Sequence, residues 1–108
     1  MRTGNATRSH QGLETPLLEL ELLRAFAEVC AQGSITAAAL KLHRSQSAIS
    51  QQIGKLEHKA GVALLLRNAA GVQPTAEGLT LLEHAKAMLA HNERVFEQLA
   101  PGSRSSEV

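Results

Sequence analysis

Gln46, Ser47, Ser50 and Gln51 are close neighbours in the chain and offer amides and hydroxyls rather than long charges. A glutamine amide donates and accepts at once, so it can pair bidentately with the major-groove edge of adenine, and serine can donate or accept at several bases. Basic side chains flank this row. Arg44, Lys55, Lys59 and, further on, Arg67 could hold phosphates on either side, which sets register without reading sequence. A merely solvated helix face would carry the same residue types, so their meaning depends on what positions them.

The positioning elements are legible around them. Apolar residues recur at Ile35, Ala38, Ala39 and Leu42, and again at Ala48, Ile49, Ile53 and Leu56. That helical spacing predicts two short helices. Ser34 and Ser45 precede them as N-caps, each hydroxyl able to accept from a backbone N–H that the first turn leaves unpaired. Only the Leu42-His43-Arg44 corner separates the two, and Ala37, Ala38 and Ala39 allow a close, steep crossing. The expected unit is a helix-turn-helix with Gln46, Ser47, Ser50 and Gln51 opposite Ile49, Ile53 and Leu56.

The stretches LELELLRAF, GSITAAALKLHRSQSAISQQIGKLE, GVALLLR and PTAEG together resemble the N-terminal DNA-binding domain of the LysR-type transcriptional regulators. The likeness runs roughly from Leu18 to Leu99, and SQSAISQQI is its most specific part. It implies a mainly α fold: a winged helix-turn-helix of three helices plus a short two-stranded wing, followed by a long helix that pairs two subunits. It also implies a transcription regulator, not an enzyme, that acts on double-stranded DNA. By position, Gln46, Ser47, Ser50 and Gln51 are expected at base edges. Ser34, Thr36, Arg44, Ser45, Lys55, Lys59 and Arg67 are expected at the DNA backbone, with Arg67 reaching it from the wing. Two positions depart from the family pattern: Leu65 stands where phenylalanine is usual, and Ala69-Ala70 replaces a loop that commonly carries an arginine. Arg67 is thereby left as the wing's principal cation.

Length and composition bound the rest. A chain of 108 residues holds one small domain plus an extension. Phe26 and Phe96 are its only aromatics, so the core is expected to be aliphatic and helical. No apolar run approaches the roughly 20 residues needed to span a bilayer, and the polar N-terminus lacks a secretory signal's apolar segment. Both point to a cytoplasmic protein, and the resemblance to DNA-binding regulators implies that it is nucleoid-associated. Cys30, the single cysteine, has no internal disulfide partner and reads as a small buried hydrophobe. The formal net charge of +1 conceals polarity. From Ser34 to Arg67, Lys41, Arg44, Lys55, Lys59 and Arg67 face only Glu57, whereas acids outnumber bases in the flanking stretches from Leu18 to Gly33 and from Thr75 to Leu99. Such a distribution turns one face toward a polyanion.

Along the chain, residues 1–17 are expected to be a disordered arm, 18–74 the winged domain, 75–99 a linker and dimerisation helix, and 100–108 a disordered tail. A first helix should carry a stripe of Leu22, Leu23, Phe26, Ala27 and Cys30, end at Gly33 as a left-handed cap, and close the core against Leu40, Leu42, Ile49 and Ile53. Gly54 interrupts the second helix of the motif. It either permits close approach to a phosphate or to the first helix, or it is simply tolerated. Gly61 should end that helix. Val62 to Arg67 and Gly71 to Pro74 could then pair as the wing through an Asn68-Ala69-Ala70 turn.

Thr75 should cap the last helix, with Glu77 favourable in its first turn. There Leu82, Ala85, Leu89, Asn92, Phe96 and Leu99 recur at three-four spacing beside Leu81, Met88 and Val95. The stripe is too broad for one small domain to cover. Its expected partner is the same helix of a second copy, with Asn92 fixing register, although packing on the chain's own first helix would account for part of it. The resemblance implies that a large ligand-sensing domain would begin after this helix; whether the chain is a fragment of a longer regulator or a short regulator in itself, no effector site is expected within it. No cofactor or metal is expected either. His10, His43, His58, His84 and His91 show no ligand spacing, and neither a phosphate-binding glycine loop nor a nucleophile elbow occurs. A rival reading is a winged-helix protein-interaction module acting through the long helix.

Overall fold

A computed structural model describes residues 15–102, so the arm residues 1–14 and tail residues 103–108 lie outside the described residues. Helix α1 spans Leu20–Gln32, α2 Ile35–Leu42 and α3 Gln46–Ala60; strands β1, Leu65–Asn68, and β2, Gly71–Pro74, form an antiparallel hairpin; helix α4 covers Ala76–Leu99. This is the mainly α winged helix-turn-helix with a long following helix.

Helix α1 is central because three helices pack around it: α2 and α3, and the first part of α4. Its buried surface is therefore wider than one stripe. Leu22, Leu23, Ala25, Phe26 and Val29 are buried, whereas Ala27 and Cys30 are only half-buried. Ile49, Ile53 and Leu56 of α3 and Leu64 complete the core with no more than 2% exposure. Each such side chain stabilises the fold by roughly 1.5–3 kcal/mol. Leu40 does not join them. It is 74% exposed, because Ala38 and Ala39 occupy the inward face of α2 and Leu40 follows them outward. Leu42, by contrast, does pack against the core.

Local caps define the helix boundaries. The Ala37 N–H donates to Ser34 Oγ at 3.0 Å and the Ala48 N–H to Ser45 Oγ at 3.1 Å. Gly33 and Gly61 take left-handed conformations at the ends of α1 and α3. Between α2 and α3 His43 is also left-handed, at φ 58°, and the Arg44 N–H closes the corner on the Ala39 carbonyl at 2.9 Å. That conformation costs little at a single exposed residue of this type.

The wing is tied down at both strands. The Val72 N–H donates to the Gly33 carbonyl at 3.1 Å. Gly71 has φ +132°, and a Cβ there would stand 2.7 Å from the same carbonyl oxygen, so only glycine fits. The strand expected from Val62 begins only at Leu65, and Asn68 pairs with Gly71 within the hairpin, leaving Ala69 and Ala70 as the loop. Asn68 Oδ1 accepts from the Ala70 N–H at 2.9 Å, which shapes that loop in place of a glycine. Thr75 caps α4 through the Gly78 N–H at 2.9 Å, while its hydroxyl donates to the Ala63 carbonyl at 2.8 Å.

Candidate nucleic-acid interface

Ser45 ends the corner and starts α3, so the residues that follow it are delivered onto a face determined by burial of Ile49, Ile53 and Leu56. Gln46, Ser47 and Gln51 are exposed and Ser50 is half-exposed. The side chains of Gln46, Ser50, Gln51, Lys55 and Arg67 make no hydrogen bond or ion pair within the described residues. Their donors and acceptors are thus available to a ligand. Arg44, Gln51 and Lys55 line one shallow depression together with Ala48 and Gln52. Two cations and an amide expected to act together therefore share a surface.

The remaining backbone candidates divide by environment. Ser34 and Ser45 sit at the N-termini of α2 and α3, where first-turn N–H groups and the helix dipole favour an anion. Thr36 is exposed in the first turn of α2. Ser45 Oγ also lies 3.4 Å from Ser47 Oγ. Arg44 is within 3.7 Å of Glu21, but both side chains are substantially exposed, so the pair is weak. Arg67 projects from β1 opposite Val72.

Lys59 already has partners within the chain. Its Nζ donates to the Leu17 carbonyl at 2.8 Å and lies 3.3 Å from Glu19 Oε1. The ammonium links the segment before α1 to the end of α3 through exposed contacts, which like the Arg44–Glu21 pair are weak. Leu17, the last residue expected in the arm, is correspondingly engaged with the domain. Gly54 is resolved in part. A Cβ there would meet nothing within 4 Å, so no close approach to α1 requires the glycine.

The long helix divides in two. Ala85 is fully buried within the chain and offers no surface to a second copy, which corrects its place in the expected dimer interface. Leu81 and Leu82 pack partly against the same core. Beyond them the face opens: Met88, Val95, Phe96 and Leu99 are exposed, while Leu89 and Asn92 are half-buried. Met88, Asn92 and Val95 line an apolar depression with Leu18, Leu20, Ala87 and His91.

The contacts of Glu57 were not legible in the sequence. Its Oε2 accepts from the Leu64 N–H at 2.8 Å and the Leu65 N–H at 3.2 Å. No local pattern announces this, because acceptor and donors lie in different elements. Cys30 is half-buried, and desolvation pushes its thiol up from the ordinary range, opposed in part by the nearby Lys86 charge. The thiol is therefore held in its unreactive protonated form. No group of three or more potential metal-ligating side chains occurs among the described residues. Nor is any of the described helices long and apolar enough to cross a membrane.

Residues 20–79, more than half of the chain, match the family described as "Bacterial regulatory helix-turn-helix protein, lysR family". The chain belongs to that family, and its fold is the winged-helix DNA-binding domain of LysR-type regulators, a class of regulators rather than enzymes. It is 40% identical over 99 residues to the HTH-type transcriptional activator AmpR of Rhodobacter capsulatus, spanning 89% of this chain and 33% of that protein. Against the HTH-type transcriptional regulator ClcR of Pseudomonas putida it is 46% identical over 72 residues, 67% of this chain and 24% of ClcR. The chain thus spans a third or less of the length of these relatives. Among solved structures, a CbnR_DBD-DNA complex superimposes with TM-score 0.72 at 35% identity, covering 84% of this chain and all of that one. A BenM_DBD/catB site 1 DNA complex gives TM-score 0.73 at 34% identity, covering 76% of this chain and 92% of that one.

Proposed function

We propose that this chain binds double-stranded DNA sequence-specifically, as a homodimer on an inverted-repeat operator, in the bacterial cytoplasm and in association with the nucleoid. Helix α3 lies in the major groove with Gln46, Ser50 and Gln51 at base edges and Ser47 beside them. The N-termini of α2 and α3, with Ser34, Thr36 and Ser45, face phosphates, and Arg44 and Lys55 neutralise those flanking the groove. Arg67 brings the wing to the adjacent backbone or minor groove. The outer half of α4, with Met88, Leu89, Asn92, Val95, Phe96 and Leu99, packs against its counterpart in a second copy. The symmetry of that pair dictates two inverted half-sites.

One observation carries this reading. The unpartnered side chains of Gln46, Ser50 and Gln51 project from a helix capped at both ends, with Arg44 and Lys55 beside them, in a fold shared with proteins solved on DNA. Band-shift titration of the purified chain against a promoter-derived duplex tests it. Log affinity should fall by about 0.9 for each neutralised phosphate per decade of salt. A module that only bound proteins through α4 would form no duplex complex even at low salt. Gln46→Ala should lose discrimination among operators, whereas Lys55→Ala should weaken all duplexes alike.

A further inference from the structure

The sole acid among the cations of the stretch from Ser34 to Arg67 is Glu57. On electrostatic grounds a carboxylate there opposes a polyanion, so its presence needs a reason. Its Oε2 accepts two consecutive backbone N–H groups, those of Leu64 and Leu65, in a partly buried setting. Leu65 is the first residue of β1 and Arg67 the third. The Leu64 carbonyl is held in turn by the Thr75 N–H at 3.0 Å, which joins the same point to the start of α4. The other anchor of the wing, Val72 to Gly33, leads to α1 and not to α3. Among the described residues, the carboxylate of Glu57 is accordingly the side-chain tie between the helix that carries Gln46, Ser50 and Gln51 and the strand that carries Arg67.

We infer that Glu57 is a positioning residue for DNA binding: it fixes where the wing cation stands relative to the recognition helix, so that groove and backbone contacts form together. This rests on the proposed DNA-binding function and deepens it. A charge-assisted acceptor for two N–H groups is stronger than a neutral one. Glutamine keeps the length and one acceptor oxygen but not that strength.

The two roles open to Glu57 predict opposite signs. As a mere negative charge near DNA, its replacement by glutamine would tighten binding. As the positioning residue, Glu57→Gln weakens binding although it removes a repulsive charge, and it uncouples Arg67.

The experiment is a double-mutant cycle on the full chain with Glu57→Gln and Arg67→Ala. It is read as Kd for a duplex that the parent chain enriches from a random pool, with circular dichroism confirming that each variant is folded. The expected result is that Arg67→Ala costs about fivefold less in the Glu57→Gln background than in the parent. Additive effects, or tighter binding by Glu57→Gln, would overturn the inference. Amide hydrogen exchange on the parent chain tests the contact without any variant. The Leu64 and Leu65 amides should be protected, and exchange as fast as that of an exposed loop amide would also overturn it. A parent chain that forms no salt-dependent duplex complex would instead sink the proposed function, a result distinct from an additive cycle.

Discussion

Gly78 stands in the first turn of α4, where helix propensity alone favours replacing it by alanine, by up to about 1 kcal/mol. The packing argues the other way. A Cβ at Gly78 would overlap the Leu64 carbonyl oxygen and lie 3.1 Å from both Leu64 C and Pro74 Cβ. The obstacle is backbone, which cannot rotate aside, so α4 would have to retreat by roughly 1 Å to restore van der Waals separation. Overpacking of this kind costs about 1–3 kcal/mol. The retreat would also stretch the bonds from the Thr75 N–H to the Leu64 carbonyl and from the Thr75 hydroxyl to the Ala63 carbonyl, each worth about 1 kcal/mol. The balance is a net loss of about 2 kcal/mol, or a fall in Tm of about 10 °C for a domain of this size. Gly54→Ala is the matched control. It lies in mid-helix, exposed, with nothing within 4 Å of the added methyl, so it should raise stability by up to about 1 kcal/mol. Thermal melts of both variants at one fixed protomer concentration decide the matter. A rise in Tm for Gly78→Ala would refute the close seating of α4 on the wing, and a fall for Gly54→Ala would refute the open face.

Phe26→Ala should cost about 3–5 kcal/mol in urea denaturation because the ring is fully buried, whereas Leu40→Ala should change stability by no more than about 0.5 kcal/mol. Comparable losses from both would contradict the observed inward face of α2. Glu21→Gln removes the carboxylate that competes for Arg44. It should raise affinity for all duplexes alike by about threefold, the scale of an exposed pair, and an unchanged Kd would take Arg44 out of the phosphate set. Because burial raises the Cys30 thiol, the stability gained by keeping it protonated is complete below the ordinary thiol range and is lost as pH climbs through the raised value. The denaturation midpoint should therefore fall with alkaline pH more in the parent than in Cys30→Ala, and parallel curves would dismiss the effect.

What could be read from sequence was what is decided locally. Ser34, Ser45 and Thr75 cap the helices that follow them, and Gly33 and Gly61 end the ones before, because a cap depends on a few adjacent residues. The exposed face of α3 was legible for the same reason: burial of Ile49, Ile53 and Leu56 dictates what points away. Most of what the sequence did not show depends on distant partners. Lys59 contacts Leu17 and Glu19, 42 and 40 residues away in sequence, and Glu57 the start of the wing. Ala85 fitted a dimer stripe by spacing, yet its small side chain is what lets α1 approach α4 closely enough to bury it. Leu40 failed because apolar character was counted without the helical phase already assigned by Ala38 and Ala39.

In vitro selection of duplexes bound by the purified chain bears most directly on how this surface works. Enrichment of two inverted half-sites, with Gln46→Ala relaxing preference at defined positions while Lys55→Ala leaves the preference intact, is the predicted result. A pool that stays random after selection, or a preference untouched by Gln46→Ala, Ser50→Ala and Gln51→Ala together, would contradict it.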